Sequence, residues 1–346
     1  MSRCSRALAL AAIAALFVPA AGARQSTTAQ LVGQTIMTGF SGTRPSAELL
    51  GRVRRGEVGG VILFGGNIAS DAAARSLVSQ LQAAAAAGGN PPLLVAVDQE
   101  GGPVRRLPDG PPPDAPAQMR TAAEAGAQGA AAGSFLKRLG IDVDLAPVVD
   151  TPPPDGNFLG TRAFGSDPRA NAARGAAFIR GLQRHGVAAT AKHFPGLGTA
   201  GANTDVAHVW IKTPKRALDA RLAPFAAAVR AGVDLVMVSN AGYRAYDASG
   251  RPAVLSRPIV TGLLRERLGF DGVVISDAME APGPQGYASP NAKALAAGVD
   301  VVLYTSESGG RTAYGELLAA ARSGELPLST LRAANARIAA LKQRLG

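Results

Sequence analysis

Val187-Ala188-Ala189-Thr190-Ala191 runs straight into Lys192-His193-Phe194-Pro195-Gly196, and Asp205 follows a little further on. The first five residues are short, apolar and non-alternating, the pattern of a strand buried on both faces in a parallel sheet. A cation and an imidazole then stand at the mouth of that strand, before a Gly/Pro turn and a carboxylate on a polar loop. Burial alone does not call for Lys192 there, because an unpaired buried ammonium is costly. The segment therefore reads as a buried strand delivering a site.

The same motif recurs along the chain. Comparable runs are Gln34–Thr38, Gly60–Phe64, Leu93–Val97, Asp142–Ala146, Val233–Ser239, Gly272–Ser276 and Val299–Tyr304. Between them lie Ala-rich helical patterns: Asp71–Ala87, Ala122–Leu139, Ala170–His185, Pro214–Ala231 and Arg257–Leu268. Eight strand–helix units in a chain of 346 residues predict an α/β fold, a (β/α)8 TIM barrel with insertions. An open doubly wound sheet is the competing architecture. It is weakened because no G-x-G-x-x-G follows an early strand. Gly101–Ala117 holds six prolines and three glycines, which excludes a helix or central strand and predicts a long loop at the barrel mouth. No composition break divides residues 24–346, so a single domain is expected, with Arg311–Gly346 as closing helices.

Residues 1–23 carry the three parts of a secretory signal. Arg3 and Arg6 form the basic start, Ala7–Val18 the apolar centre, and Ala21-Gly22-Ala23 a cleavage site. Export is the expectation, and Cys4, the only cysteine, would leave with the signal. The core would then be stabilised without disulfides. Loss of Arg3 and Arg6 lowers the formal charge from +11 to +9, which suits contact with an anionic cell-envelope surface. Nucleic acid is not an expected partner, since the arginines are scattered and no aromatic-interleaved basic patch or binding motif is present.

Barrel enzymes place their chemistry beyond the C-terminal strand ends. Reading those positions gives Asp98-Gln99-Glu100, then Pro147 and Asp150, then Lys192-His193, Ser239-Asn240 and Asp277. Helix N-capping accounts for Ser239 or Asn240, but not for Lys192, His193 or Glu100. Two carboxylates from different strands are what glycosidic cleavage needs, one at the anomeric carbon and one giving a proton to the leaving oxygen. Asp277 closes a strand, and rigid placement suits a nucleophile. Asp98 suits hydrogen bonds to sugar hydroxyls, and Arg106 and Arg162 add charged donors.

These residues carry a family resemblance. Gly59–Phe64, Asp98–Leu107, Asp144–Asp150, Gly160–Gly165, the Lys192 segment and Gly272–Asp277 together resemble the bacterial β-N-acetylhexosaminidases of glycoside hydrolase family 3. The resemblance implies a barrel that retains configuration through a covalent glycosyl-enzyme, with Asp277 as nucleophile. It implies N-acetylglucosamine binding by Asp98, Arg106, Arg162, Lys192 and His193, with no metal and no organic cofactor. Substrates would be cell-wall fragments or chitin-derived sugars, and relatives of this size often act as monomers.

The acid/base loop departs from the family pattern. Relatives read Lys-His-Phe-Pro-Gly-His-Gly and then Asp-Ser-His or Asp-Thr-His; this chain has Leu197 for the first loop histidine, then Asn203-Thr204-Asp205, with His208 beyond. Three readings stand. Asp205 itself is the acid/base; Asp205 orients His208, which moves the proton; or the loop is incompetent and the protein is a sugar- or muropeptide-binding pseudoenzyme. Outside the family, Lys192 also admits a Schiff-base aldolase reading.

Overall fold

The computed structural model describes residues 26–346; the signal read at 1–23 lies outside them. Eight parallel strands close into a barrel: β1 (Ile36–Thr38), β2 (Gly60–Leu63), β3 (Leu94–Val97), β4 (Val143–Asp144), β5 (Ala188–Phe194), β6 (Leu235–Val238), β7 (Val273–Ala278) and β8 (Val301–Tyr304). Each strand pairs with its neighbours in sequence, and Ile36–Thr38 against Val302–Tyr304 closes the ring. This is the predicted (β/α)8 barrel; the open sheet is excluded by the β1–β8 pairing.

Two apolar clusters account for the stability. One fills the barrel itself with alternate residues such as Met37, Ile62, Ala96, Leu145, Ala188, Met237, Ile275 and Leu303. Ile338, Leu341 and Leu345 join it from the last helix, 328–345, and cap the barrel. The other cluster lies between the strands and the surrounding helices. Asp300 ties the last helix to the barrel: buried, it pairs with Arg337 at 2.8 Å and Arg265 at 2.7 Å and accepts the Val274 N–H at 2.8 Å.

The helical ring follows local rules. Ser46, Ser70 and Thr121 cap helices at 47–54, 71–87 and 122–139 through their hydroxyls. Helices 122–139 and 168–183 approach closely because Gly129 and Gly181 face backbone carbonyls, those of Phe178 and Gly126. A Cβ at either would lie about 2.3 Å from the opposing oxygen.

Several predicted boundaries move. The pattern over Pro214–Ala231 is two helices, Lys215–Arg221 and Ala223–Arg230, because Pro224 lacks the N–H a continuous helix would use. Pro258–Arg267 winds as a π-helix. Gln34 ends a first helix and is not part of β1. The 101–117 segment is irregular, with a short hairpin pairing Gln99–Gly101 and Val104–Arg105. Most consequentially, β5 and β7 run past their apolar stretches to include Lys192, His193 and Asp277.

Candidate active site

Strand alternation decides which side chains reach the barrel mouth. Ala188 in β5, Leu94 and Ala96 in β3, and Val273 and Ile275 in β7 all belong to the cluster filling the barrel. Continuing each series by two residues gives Lys192 beyond Thr190, Asp98 beyond Ala96, and Asp277 beyond Ile275. The inward register of the core thus becomes the floor of a cleft, since side chains two apart share a face. All three line a cleft of about 220 Å³ at the C-terminal strand ends, with Glu100, Arg106, Arg162, His193 and Asp205. Phe64, Phe158, Leu197 and Met237 supply apolar wall.

Ion pairs run through the cleft as a chain. The Arg106 guanidinium donates to Asp98 at 3.4 Å. Lys192 Nζ meets Asp98 Oδ1 at 2.7 Å and Glu100 Oε1 at 2.7 Å. Arg162 closes the chain with two parallel bonds to Glu100, both 2.8 Å. Lys192 is 2% exposed and Glu100 1%, so the ammonium is affordable only because both carboxylates neutralise it. Burial pushes the carboxyls of Asp98 and Glu100 up, but Lys192 and the arginines more than reverse this and hold both below their ordinary values. Burial lowers Lys192 in turn, and Asp98 and Glu100 carry it above its usual value. The array stays ionised and offers fixed donors and acceptors to a polyhydroxylated ligand. Arg106 also lies over the Phe64 ring at 5.6 Å.

Asp277 is held differently. Its Oδ1 accepts the Ala278 N–H at 2.8 Å, and the β7–β8 register shifts between Ile275 and Ala278. Asn240 Nδ2 donates to the Ala278 carbonyl at 2.7 Å, fixing the backbone behind it. Burial raises the Asp277 carboxyl; His193 opposes this and the Asp205 charge adds to it. Neither Asp277 nor Asp205 joins the ion chain, so the cleft holds two further carboxyls for acid/base and nucleophilic work.

Asp205 lines the cleft from the 199–209 loop. It is exposed, and its N–H bonds the Asn203 side chain at 3.0 Å in a tight turn. His208, the alternative proton carrier, lies off the cleft lining. Its ring stacks on Trp210 at 4.0 Å, and no hydrogen bond joins it to Asp205 among the described residues. Trp210, not Asp205, is the side chain on which its ring packs.

Two members of the site received no role from the sequence. Glu100 bridges two cations; its signal was the two-residue spacing from Asp98, which puts both on one side of an extended segment. Asp150 is fully buried and faces His193 Nδ1 at 2.7 Å. Asp144, also buried, keeps one oxygen on the Gln99 N–H at 2.9 Å while the other has no partner. Burial raises its carboxyl to about 8, with the Gln99 bond opposing.

Residues 27–341 match the model of the glycosyl hydrolase family 3 N terminal domain. A protein named an uncharacterized secreted glycosyl hydrolase, from Arthroderma benhamiae, is 36% identical over 334 residues, covering 90% of this chain and 92% of that one. A beta-hexosaminidase of Xanthomonas oryzae pv. oryzae is 38% identical over 286 residues, covering 78% and 82%. The solved structure of a family 3 beta-N-acetylglucosaminidase from Paenibacillus sp. superposes with a TM-score of 0.89 at 36% identity. It covers 92% of this chain, which spans 63% of that longer protein. With the matched model extending over nearly all described residues, this chain belongs to glycoside hydrolase family 3.

Proposed function

We propose that this protein is an exported, retaining exo-glycosidase that hydrolyses terminal β-N-acetylglucosaminides. The observation that carries the reading is the convergence, in one cleft, of the Arg106–Asp98–Lys192–Glu100–Arg162 ion chain with the carboxyls of Asp277 and Asp205. The names of the Xanthomonas and Paenibacillus relatives support N-acetylhexosaminides as the substrate class. The name of the Arthroderma relative supports export.

The ion chain and His193 hold the sugar in the −1 position, with its anomeric carbon over Asp277. Asp277 attacks that carbon, and Asp205 gives its proton to the departing glycosidic oxygen. Water, deprotonated by Asp205, then releases the sugar from Asp277 with net retention. Asp205 reaches this role without a histidine partner. Its exposed loop lets it approach the leaving group when a substrate fills the cleft. A binding-only protein is the second reading, favoured by the exposure of Asp205.

The test is hydrolysis of p-nitrophenyl N-acetyl-β-glucosaminide by the protein lacking residues 1–23, with the first-formed anomer followed by NMR. β-Anomer release that disappears in Asp277→Ala supports the assignment. Tight sugar binding without turnover on this activated substrate would replace it with the binding reading. Mass measurement of the exported chain's N-terminus checks cleavage after Ala23.

A further inference from the structure

Asp150 does not line the cleft, yet both its oxygens are spent on the segment that carries His193. Oδ2 accepts the His193 backbone N–H at 3.1 Å and faces its Nδ1 at 2.7 Å. Oδ1 accepts the Leu197 N–H at 2.7 Å. Parallel pairing explains the placement. It continues past β4, with Val148 bridging Lys192 and the Val149 N–H donating to the Lys192 carbonyl at 2.9 Å. The next residue on each side brings Asp150 beside His193.

Both Asp150 oxygens already accept backbone N–H groups, and a carboxyl that accepts on both oxygens takes the 2.7 Å contact from a proton on Nδ1. The partner of one imidazole nitrogen sets the role of the other. With Nδ1 turned to a buried carboxylate, the Nε2 edge is left for the cleft that His193 lines. Asn157 and Tyr243 also hold this turn, but they bind carbonyls: Asn157 those of Leu197 and Gly198 at 3.2 and 3.0 Å, and Tyr243 that of Gly196 at 3.1 Å. Neither can choose a histidine tautomer.

We propose that Asp150 is a positioning residue for the reaction: it holds His193 in the Nδ1–H form with Nε2 presented to the bound sugar, and it anchors the root of the loop bearing Asp205. The proposal rests on the glycosidase reading above for its kinetic consequence, though not for the tautomer.

The chain has three histidines, His185, His193 and His208, so a two-bond ¹H–¹⁵N spectrum of the imidazoles is readily assigned. In the wild type, His193 should show a protonated, hydrogen-bonded Nδ1. Asp150→Ala, which removes the acceptor altogether, should abolish that signature and lower kcat/KM on the activated N-acetylglucosaminide by ~10–100-fold, the scale found for outer partners of metal-bound histidines. In a His193→Gln background the same substitution should cost under ~3-fold, because paired residues are not additive. Additive losses, or an unchanged tautomer in Asp150→Ala, overturn the proposal. If Asp150→Ala does not fold, a neutral wild-type His193 protonated on Nε2 overturns it equally well. A wild type with no turnover sinks the glycosidase reading, and the tautomer measurement still decides the role of Asp150.

Discussion

Glu100 and Lys192 meet at 2.7 Å on the cleft floor, and neither side chain has appreciable contact with water. Asp98 is the second carboxylate on the same ammonium, and Arg162 the second cation on the same glutamate. The cluster therefore resists removal of any one member more than it resists joint removal.

Lys192→Met should lower unfolding stability by about 3–5 kcal/mol, the cost of breaking a buried pair by deleting one partner. The double variant Lys192→Met/Glu100→Gln should lose less than the two single losses combined, because one uncompensated charge disappears. Urea denaturation of the four proteins measures this coupling. A Lys192→Met protein within about 1 kcal/mol of wild type would mean the ammonium contributes little to the fold.

Asp277 should show the opposite sign. Its carboxyl is raised by burial, so the folded state binds that proton more tightly than the unfolded state does. Stability then falls as pH rises from the unfolded carboxyl range, about 4, through the folded value. Asp277→Asn should consequently be more thermostable than wild type at pH 7.5, with the gain vanishing near pH 3, while turnover is abolished. Thermal unfolding at the two pH values decides it. A loss of stability at pH 7.5 would show that hydrogen bonding of the charged form outweighs its desolvation.

Much of this was legible beforehand, and the reason is periodicity. Continuous apolar runs ending in ionisable residues define a barrel and its working end together, since the inward register of Ala188 and Ile275 extends to Lys192 and Asp277. Helix ends were less legible: the break at Pro224 and the π winding of 258–267 depend on packing that a 3.6-residue pattern does not carry. Among site residues, Glu100 and Asp150 stood at strand ends without roles. Pairing partners 62 residues away (Glu100 with Arg162) and 43 away (Asp150 with His193) leave no local signal. His208 was suggested by proximity in sequence to Asp205, but the chain turns it onto Trp210.

Asp144 gives a second pH dependence, at higher pH. Its carboxyl is raised to about 8 by burial, so it destabilises the fold progressively from about pH 4 up to about 8. Asp144→Asn keeps an acceptor for the Gln99 N–H and removes the charge. It should match wild type in stability near pH 4 and exceed it at pH 9. Equal stabilities at pH 9 would place the Asp144 titration at an ordinary value.

Asp205 is best tested through leaving groups. A general acid matters most when the departing oxygen is a poor leaving group, and its loss costs ~10²–10⁴ in rate. Asp205→Ala should therefore slow hydrolysis of an N,N′-diacetylchitobiose by that factor, while formation of the glycosyl-enzyme from the nitrophenyl substrate changes far less. His208→Ala separates the two proton carriers. Its ring stacks on Trp210 and lies off the cleft lining, so on chitobiose it should fall less than ~3-fold, well short of a general-acid loss. If His208→Ala instead reproduces the leaving-group dependence and Asp205→Ala does not, the loop must rearrange on binding so that the imidazole leaves Trp210 and carries the proton. If neither substitution changes chitobiose hydrolysis, the proton comes from elsewhere in the cleft, and Asp205 is only a rim carboxylate.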